Sequence, residues 1–262
     1  MLVCKLGQAW IMTIETSGTA TPVDPVRPPT VSEQVFEALY RRIVTVDLPP
    51  GTRLSEVEVA KGMGTSRQPV RDAFWRLSKL GLVLVRPQRA TVVTQISTTA
   101  VMQARFVRTA IEVETLRIAA GRFGVAEFEA LDAILAEQAG AVRADARERF
   151  HVLDDEFHRR IGALAGVGFV WDLVRENKAH TDRVRLLSLT SGAELALADH
   201  HAILDALRAG DVEGAAAAMR LHLERISAIL ARIRGEHPDY VADEGADGSA
   251  RAADEVDGSG AW

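Results

Sequence analysis

Cysteine is almost absent from this chain of 262 residues, because Cys4 is the only one. A single thiol excludes a disulfide within the chain and favours a reducing compartment, so we expect a cytoplasmic protein. Aromatic residues make up only 5 % of the sequence, whereas alanine and leucine are frequent, which favours helices packed on helices. No apolar run approaches the roughly 20 residues of a membrane-spanning helix, so no membrane segment is expected.

The signatures of common enzyme classes are also lacking. No activated-nucleophile motif, phosphate-binding loop or dinucleotide-binding fingerprint occurs in the sequence, so we do not expect an enzyme. The first ten residues lack the apolar core and cleavage site of a signal peptide, and either Met1 or Met12 fits as the start of translation.

Hydrophobic periodicity is absent from both ends of the chain. Residues 1–29 are rich in Thr, Pro, Ser and Gly and predict a flexible N-terminal arm. Residues 236–262 are rich in Asp, Glu, Gly and Ala and predict a disordered acidic tail. Two segments with regular patterns lie between these ends, 30–96 and 97–235, and we expect each to form one domain.

The net charge of −5 conceals an uneven distribution of charge along the chain. Residues 27–96 contain 11 Lys and Arg against 6 Asp and Glu, whereas residues 97–262 contain 19 against 28. A basic N-terminal part on an acidic body indicates a polyanionic partner that binds at one end only.

Residues 30–96 have the element order of a winged helix-turn-helix domain. Thr30 and Glu33 form a capping box, and apolar residues then repeat every four positions, which predicts a first helix. A short second helix, a glycine turn and a third helix follow. Two segments rich in β-branched residues, 82–86 and 91–95, then predict a hairpin.

The third predicted helix begins with side chains suited to reading DNA. The N-terminal end of this helix normally contacts base edges, and arginine can grip guanine through two hydrogen bonds. We therefore expect DNA contacts from the helix and the hairpin, through Ser66, Arg67, Gln68, Arg71, Arg86 and Arg89. Alternatives are a small α+β domain with a solvated basic face and, for Arg71, an intramolecular pair with a carboxylate such as Asp72. Because one module reads only a few base pairs, a homodimer on a near-palindromic double-stranded operator is the economical arrangement.

Residues 97–235 predict an all-α domain. Apolar residues recur at helical spacing and glycines mark the breaks, so we expect six helices joined by short turns. Their predicted spans are 98–120, 125–142, 145–165, 168–189, 192–209 and 212–234. The predicted fold class is therefore mainly α, with an N-terminal winged helix-turn-helix followed by an all-α six-helix antiparallel bundle.

Four residues of the helical part form a candidate metal site. Asp154 and His158 lie four positions apart, one turn of a helix, so both side chains can point at one ion. His200 and His222 lie on the fifth and sixth predicted helices, although any single histidine is more often an ordinary packed or solvated residue. One carboxylate and three neutral imidazoles suit a divalent ion, zinc first, with nickel or manganese as alternatives. His151 shares the helix face of Asp154 and His158 and is an alternative or supporting ligand.

Several runs of sequence resemble the GntR-type transcription regulators. The runs Gly51-Thr-Arg-Leu-Ser-Glu56 and Thr65-Ser-Arg-Gln-Pro-Val-Arg71, with the segment 77–82, are similar to the N-terminal domain of that family. Later runs occur in the order found in the FCD effector domain of the FadR subfamily: Arg108-Thr-Ala-Ile-Glu112, Asp154-x-x-Phe-His158, Asp199-His200 and His222. The resemblance covers residues 30–234.

The resemblance implies a regulator whose DNA binding responds to a small organic acid or sugar acid held near the metal ion. Arg108 matches an inward-facing arginine of the family and is implied to bind this carboxylate effector, and Arg183 is a second candidate. Either arginine can instead form only a structural salt bridge. Two other functions stay open, namely a metalloenzyme with an open metal position and an architectural DNA-binding protein whose helical part holds no metal.

Overall fold

The computed structural model describes residues 28–86 and 90–242, with the backbone alone for residues 189–191. Its first domain contains three helices and three strands, in the order α1 (Val31–Val44), β1 (Arg53–Leu54), α2 (Glu56–Gly62), α3 (Arg67–Lys79), β2 (Val83–Leu84) and β3 (Thr91–Val93). The strands form one antiparallel sheet in the order β1-β3-β2. This arrangement confirms the predicted winged helix-turn-helix.

Helix α1 begins and packs as its sequence predicts. The Thr30 side chain accepts a hydrogen bond from the Glu33 backbone amide, and the Glu33 side chain accepts one from the Thr30 amide, which completes the capping box. Leu39 and Ile43 of α1 share one buried core with Leu77 of α3. This core fixes α3 with its N-terminal end at the surface.

Strands β2 and β3 form the predicted hairpin, although each strand is shorter than its sequence suggested. Val83 pairs with Val93, and Arg53 of β1 pairs with Val92 on the other side of β3. Arg86 is exposed at the end of the described part of the hairpin. The tip, which includes the predicted DNA contact Arg89, lies outside the described residues.

The second domain contains six described α-helices, α4 (Thr98–Ala119), α5 (Val125–Arg143), α6 (Arg147–Leu164), α7 (Val170–Asn177), α8 (Ala179–Arg208) and α9 (Val212–Glu236), followed by a 3-10 helix (Pro238–Tyr240). A central core joins five of these helices through Leu116, Leu131, Phe157, Ile203 and Met219. Nowhere in the described ranges is a helix both long and apolar enough to cross a membrane.

The predicted helix break at Gly192 is wrong. Instead of two helices over 168–189 and 192–209, the chain forms the short α7 and then one helix, α8, of 30 residues. A single glycine inside a helix costs only about 1 kcal/mol relative to alanine, and α8 contains no proline. The break lies earlier, at Lys178 between α7 and α8.

The predicted disordered tail begins too early, because residues 236–242 have a defined conformation. Val241 is buried and forms a β-bridge with Ile96, in the segment that joins the two domains. Both residues belong to one apolar cluster with Val184 and Ile233. The acidic composition of the C-terminal segment concealed this short apolar anchor.

Contacts between α1 and α8 join the two domains. The Tyr40 hydroxyl donates a 2.7 Å hydrogen bond to Oδ2 of Asp182, and Ala179 packs into the hydrophobic core of the first domain. Nζ of Lys178 lies 2.6 Å from Oδ1 of Asp182 and 2.8 Å from Oδ2 of Asp155 on α6. Buried polar and apolar contacts therefore both attach the helical domain to the winged domain.

Candidate metal centre and DNA-reading face

The structure brings the four predicted metal ligands together. Asp154 and His158 lie one turn apart on α6, His200 lies on α8, and His222 lies on α9. All four side chains are buried, and one ligand atom from each lies within 4.8 Å of those of the other three. We call this group the candidate metal centre.

The ring of His200 is oriented by a residue that the sequence did not single out. Nδ1 of His200 lies 2.8 Å from Oε1 of Gln138 on α5, and Nε2 of Gln138 donates to the backbone oxygen of Leu153 at 2.9 Å. The second bond fixes the orientation of the amide, so Oε1 must accept from Nδ1 of His200. The lone pair of His200 is therefore on Nε2, which lies 3.5 Å from Oδ1 of Asp154.

The other two histidines follow the same pattern with carboxylates in place of the amide. Nδ1 of His158 lies 2.5 Å from Oε2 of Glu112, and Nδ1 of His222 lies 3.5 Å from Oδ2 of Asp199. Metal-binding histidines commonly turn their second nitrogen to a carboxylate or carbonyl in this way. Each supporting residue lies on a helix other than that of its histidine, so spacing along the chain gave no sign of the pairing.

The protonation states at the centre suit a cation. Burial lowers the pKa of His222 to about 4 and holds the pKa of His200 well below its ordinary value, so both rings are neutral near pH 7. Burial alone would raise the pKa of Asp154, but Arg185 and the histidines hold it well below the usual value.

Unsatisfied buried atoms provide a test of whether a metal fits. Among the described residues, Nε2 of His158 and Nε2 of His200 are buried and have no hydrogen-bond partner, and Nδ1 of His158 and of His222 face their carboxylates without hydrogen-bond geometry. Buried polar atoms without a partner are rare in folded proteins, and an ion is one of the groups that can satisfy them. Three imidazoles and one carboxylate are a suitable set for a divalent transition metal or zinc.

Arg185 is the arginine of α8 that faces this centre, which corrects the choice of Arg183 from the sequence. Arg185 Nη1 contacts Oδ2 of Asp154, and its Nη2 lies 3.2 Å from Nε2 of His222. Residues two positions apart on a helix point in nearly opposite directions. Arg183 accordingly points to the domain junction, where its Nη1 donates to the backbone oxygen of Thr94 at 2.9 Å and burial lowers its pKa to about 10.

A cavity of about 200 Å³ adjoins the centre and is lined by Asp154, Arg185 and His222 together with Arg108. Arg108 is buried, and its Nε donates a 2.6 Å hydrogen bond to Oε1 of Glu112. Its Nη2 has no hydrogen-bond partner within the described ranges. Arg108, which the sequence predicted to bind the effector, therefore has one unused, buried hydrogen-bond donor beside the cavity.

His151 lies beside this cavity and not among the four ligands. Its Nε2 is 3.6 Å from Oδ1 of Asp182. His151, Asp155 and Asp182 lie close enough together to suggest a second metal site. The ammonium group of Lys178 contacts both carboxylates, however, and already supplies the positive charge that they require.

The predicted DNA contacts of α3 lie together on an exposed face. Nη2 of Arg67 and Nη2 of Arg71 lie 2.9 and 3.2 Å from Oε2 of Glu56 on α2. Gln68 donates a 2.8 Å hydrogen bond to Asp72. The intramolecular pair considered for Arg71 therefore exists, with Glu56 as its carboxylate. Exposed ion pairs contribute only about 0–1 kcal/mol, so both arginines can exchange this partner for DNA.

Ser66 is the N-cap residue of α3, but its side chain makes no capping hydrogen bond. The hydroxyl and the first amides of the helix are thus exposed at the end that carries Arg67. This arrangement suits a phosphate oxygen, which binds readily at helix N-termini.

A winged helix with exposed arginines at the start of its third helix, joined to a helical domain with a buried pocket, defines a DNA-binding regulator with a ligand-sensing domain. Comparison with known families agrees. Residues 31–93 match the model "Bacterial regulatory proteins, gntR family", and residues 103–225 match the FCD domain.

Individual proteins show the same likeness. The chain is 37 % identical over 235 residues to the HTH-type transcriptional repressor RspR of Escherichia coli K12, covering 89 % of this chain and all of that protein. It is 31 % identical over 198 residues to a probable D-xylose utilization operon transcriptional repressor of Paenarthrobacter nicotinovorans, covering 74 % and 86 % of the two chains. The solved structure of E. coli McbR/YncC has the same fold, with a TM-score of 0.66, 21 % identity and coverage of 78 % and 99 %.

The chain belongs to the GntR family of bacterial regulatory proteins and has the FCD effector domain of FadR-type members. It is a DNA-binding transcription regulator, which confirms the resemblance found in the sequence. Proteins of these families are not enzymes, and this membership decides against the metalloenzyme considered above.

Proposed function

We propose that the helical domain holds a divalent metal ion at the candidate metal centre, and that a small organic acid or sugar acid binds beside it from the cavity. The observation that carries this proposal is the orientation of the three histidines. Each Nδ1 faces an acceptor, Glu112, Gln138 or Asp199, which leaves Nε2 as the ligand atom of each ring. Zinc is the first choice, with nickel and manganese as alternatives.

Two arginines are placed to hold the acid. A bound divalent ion supplies positive charge that attracts a carboxylate. Nη2 of Arg108 is the unused donor for a carboxylate oxygen, and an arginine–carboxylate hydrogen bond is stronger than a neutral one. Arg185 contacts the atoms of Asp154 and His222 that an ion requires, so we expect its guanidinium to turn towards the cavity and bind the acid.

Metal analysis combined with thermal unfolding tests this proposal. Purified protein is loaded with zinc, nickel or manganese, mixed with a panel of small carboxylic acids, and compared with chelated protein. We expect acids to raise the melting temperature of the metal-loaded protein only. His200→Gln should lose both metal and acid, whereas the exposed neighbour His201→Gln should lose neither. Stabilisation by acids that survives complete metal removal would overturn the metal-dependent site.

We also propose that the protein binds a near-palindromic operator as a homodimer in the cytoplasm. The exposed start of α3, with Ser66, Arg67, Gln68 and Arg71, supports base reading, and the hairpin with Arg86 and Arg89 supplies further contacts. An operator is recovered by selection from random DNA. Arg67→Ala should then weaken operator binding far more than binding to random DNA, whereas the exposed Arg143→Ala of the second domain should change neither. Equal loss on both DNAs would exclude base reading by Arg67.

Repression is the regulatory sign that we propose. The name of the Escherichia coli relative and that of the Paenarthrobacter relative both describe repressors. A reporter placed behind the selected operator should be silenced by the wild-type protein and released by Arg67→Ala. Reporter activity that falls in the variant would indicate an activator instead.

A further inference from the structure

Two residues that line the cavity carry unsatisfied polar atoms besides those of the candidate metal centre. Thr181 on α8 and His151 on α6 both line it. Oγ1 of Thr181 and Nδ1 of His151 are buried and have no hydrogen-bond partner in the part of the chain that the structure describes. Leaving such a group unsatisfied costs about 1–3 kcal/mol, so a ligand that pairs with both atoms is strongly favoured.

The hydrogen-bonding character of this pair follows from Asp182. Nε2 of His151 faces Oδ1 of Asp182 at 3.6 Å, and a carboxylate favours the tautomer that has its proton on the facing nitrogen. In the neutral ring with this tautomer, Nδ1 of His151 is an acceptor. The hydroxyl of Thr181 can donate as well as accept. A ligand hydroxyl suits both atoms, because it can donate to Nδ1 and accept from Oγ1. A carboxylate only accepts, so it leaves Nδ1 without a donor.

Most of the remaining wall is hydrocarbon. Apolar side chains of α6, α8 and α9 line it, namely Phe150, Leu195, Ala196, Leu223, Ile226 and Ile229. Three further arginines line the cavity and already have partners: Arg105 pairs with Glu224, Arg225 pairs with Asp199, and Arg232 is also engaged. A ligand with hydroxyls along its whole length would turn several of them towards this wall, where they lack partners.

We infer that Thr181 and His151 form a hydroxyl subsite and that the effector is a hydroxy acid with a largely hydrocarbon body, rather than a polyhydroxylated sugar acid. This inference rests on the proposed function, which places the carboxylate at the metal and Arg108. It narrows the effector class by adding a second polar anchor. Selectivity of this kind can be large, because a site built for a hydroxyl leaves its own polar atoms unpaired when the analogue lacks one.

Matched pairs of acids test the subsite. Calorimetric titration of zinc-loaded protein compares hexanoate with 6-hydroxyhexanoate, pentanoate with 4-hydroxypentanoate, and succinate with malate. For at least one pair, we expect the wild-type protein to bind the hydroxylated acid at least tenfold more tightly. Thr181→Val keeps the shape of the side chain and should reduce this preference to about twofold, and His151→Phe should act in the same direction.

Ser188→Ala is the matched control. Ser188 lines the same cavity, but its hydroxyl already donates to the backbone oxygen of Arg185 at 2.8 Å, so its removal should leave the preference intact. If the wild-type protein binds both members of each pair equally, or if Thr181→Val and His151→Phe retain the full preference, the subsite is overturned while the metal-dependent acid site stands. If none of these acids binds the zinc-loaded protein, the proposed acid site fails, and the subsite fails with it.

Discussion

At the scale of single residues, the candidate metal centre depends as much on the supporting acceptors as on the ligands. Gln138, Glu112 and Asp199 each face the Nδ1 atom of one histidine. Part of the cluster of candidate ligands was predictable, because Asp154 and His158 lie one helical turn apart and their types suit a metal. Gln138 was not predictable, because one glutamine on α5 has no pattern that relates it to a histidine 62 positions later.

Replacement of Gln138 tests this supporting role. Gln138→Met keeps the volume but removes the acceptor of His200, so the ring can adopt the other tautomer or rotate. We expect the zinc affinity of the purified protein, measured by competition with a chelator, to fall about ten- to hundredfold. Gln103→Met, on the exposed face of α4, is the control and should keep the wild-type affinity. A Gln138→Met affinity within twofold of wild type would contradict the role.

The depressed pKa of His222 predicts a pH dependence for the metal-free protein. Its pKa is about 4 in the folded state and about 6.5 in an unfolded chain, so the unfolded state takes up a proton first as the pH falls. Stability is therefore complete above about pH 6.5 and declines from there towards pH 4. Urea unfolding across this window should show a flatter profile for His222→Gln than for wild type or the exposed control His201→Gln. Parallel profiles for all three proteins would contradict the assignment.

At the scale of elements, the sequence predicted the winged domain more accurately than the helical domain. In the winged domain, turns and caps have clear signals, such as Thr30 with Glu33. In the helical domain, Gly192 suggested a helix break, but α8 runs through it. A single glycine is a weak signal for a break when packing on both sides of it favours a helix. The choice of Arg183 failed for a related reason, since the rotation of α8 about its axis is fixed by tertiary packing.

Two glycine substitutions distinguish a continuous α8 from a broken one. Gly192 lies within the helix, and an added Cβ would meet only Oγ of Ser188 at 3.9 Å. Gly192→Ala should therefore raise the free energy of unfolding by about 0.5–1 kcal/mol. Gly210 has φ +74° in the turn before α9, so Gly210→Ala should lower it by about 1–2 kcal/mol. Chemical denaturation measures both changes, and a destabilising Gly192→Ala would indicate a break in α8.

At the scale of the whole molecule, a chain of polar contacts connects the cavity to the DNA-binding domain. His151 lines the cavity and faces Asp182, and Asp182 accepts a hydrogen bond from Tyr40 on α1. Helix α1 in turn packs on α3, which carries the predicted base contacts. A ligand can shift the position of the winged domain only if it binds the two arrangements with different affinity. The proposed contact between the ligand and His151 would change the environment of Asp182 and so provide such a difference.

Tyr40→Phe tests this connection, because it removes one partly buried hydrogen bond to a charged group and leaves the ring packed against the core. Operator affinity is measured by fluorescence anisotropy, with and without the acid that binds the zinc-loaded protein most tightly. In wild type, we expect the acid to change operator affinity by about 5- to 150-fold, the usual range of allosteric coupling. In Tyr40→Phe, this factor should fall at least threefold while acid affinity stays near its wild-type value.

Glu148→Gln is the control for this experiment. It breaks the exposed ion pair between α6 and Arg41 of α1, and because such pairs contribute little, it should preserve the coupling. An equal loss in both variants would indicate that any contact between the domains transmits the signal, and full coupling in Tyr40→Phe would exclude the route through Asp182.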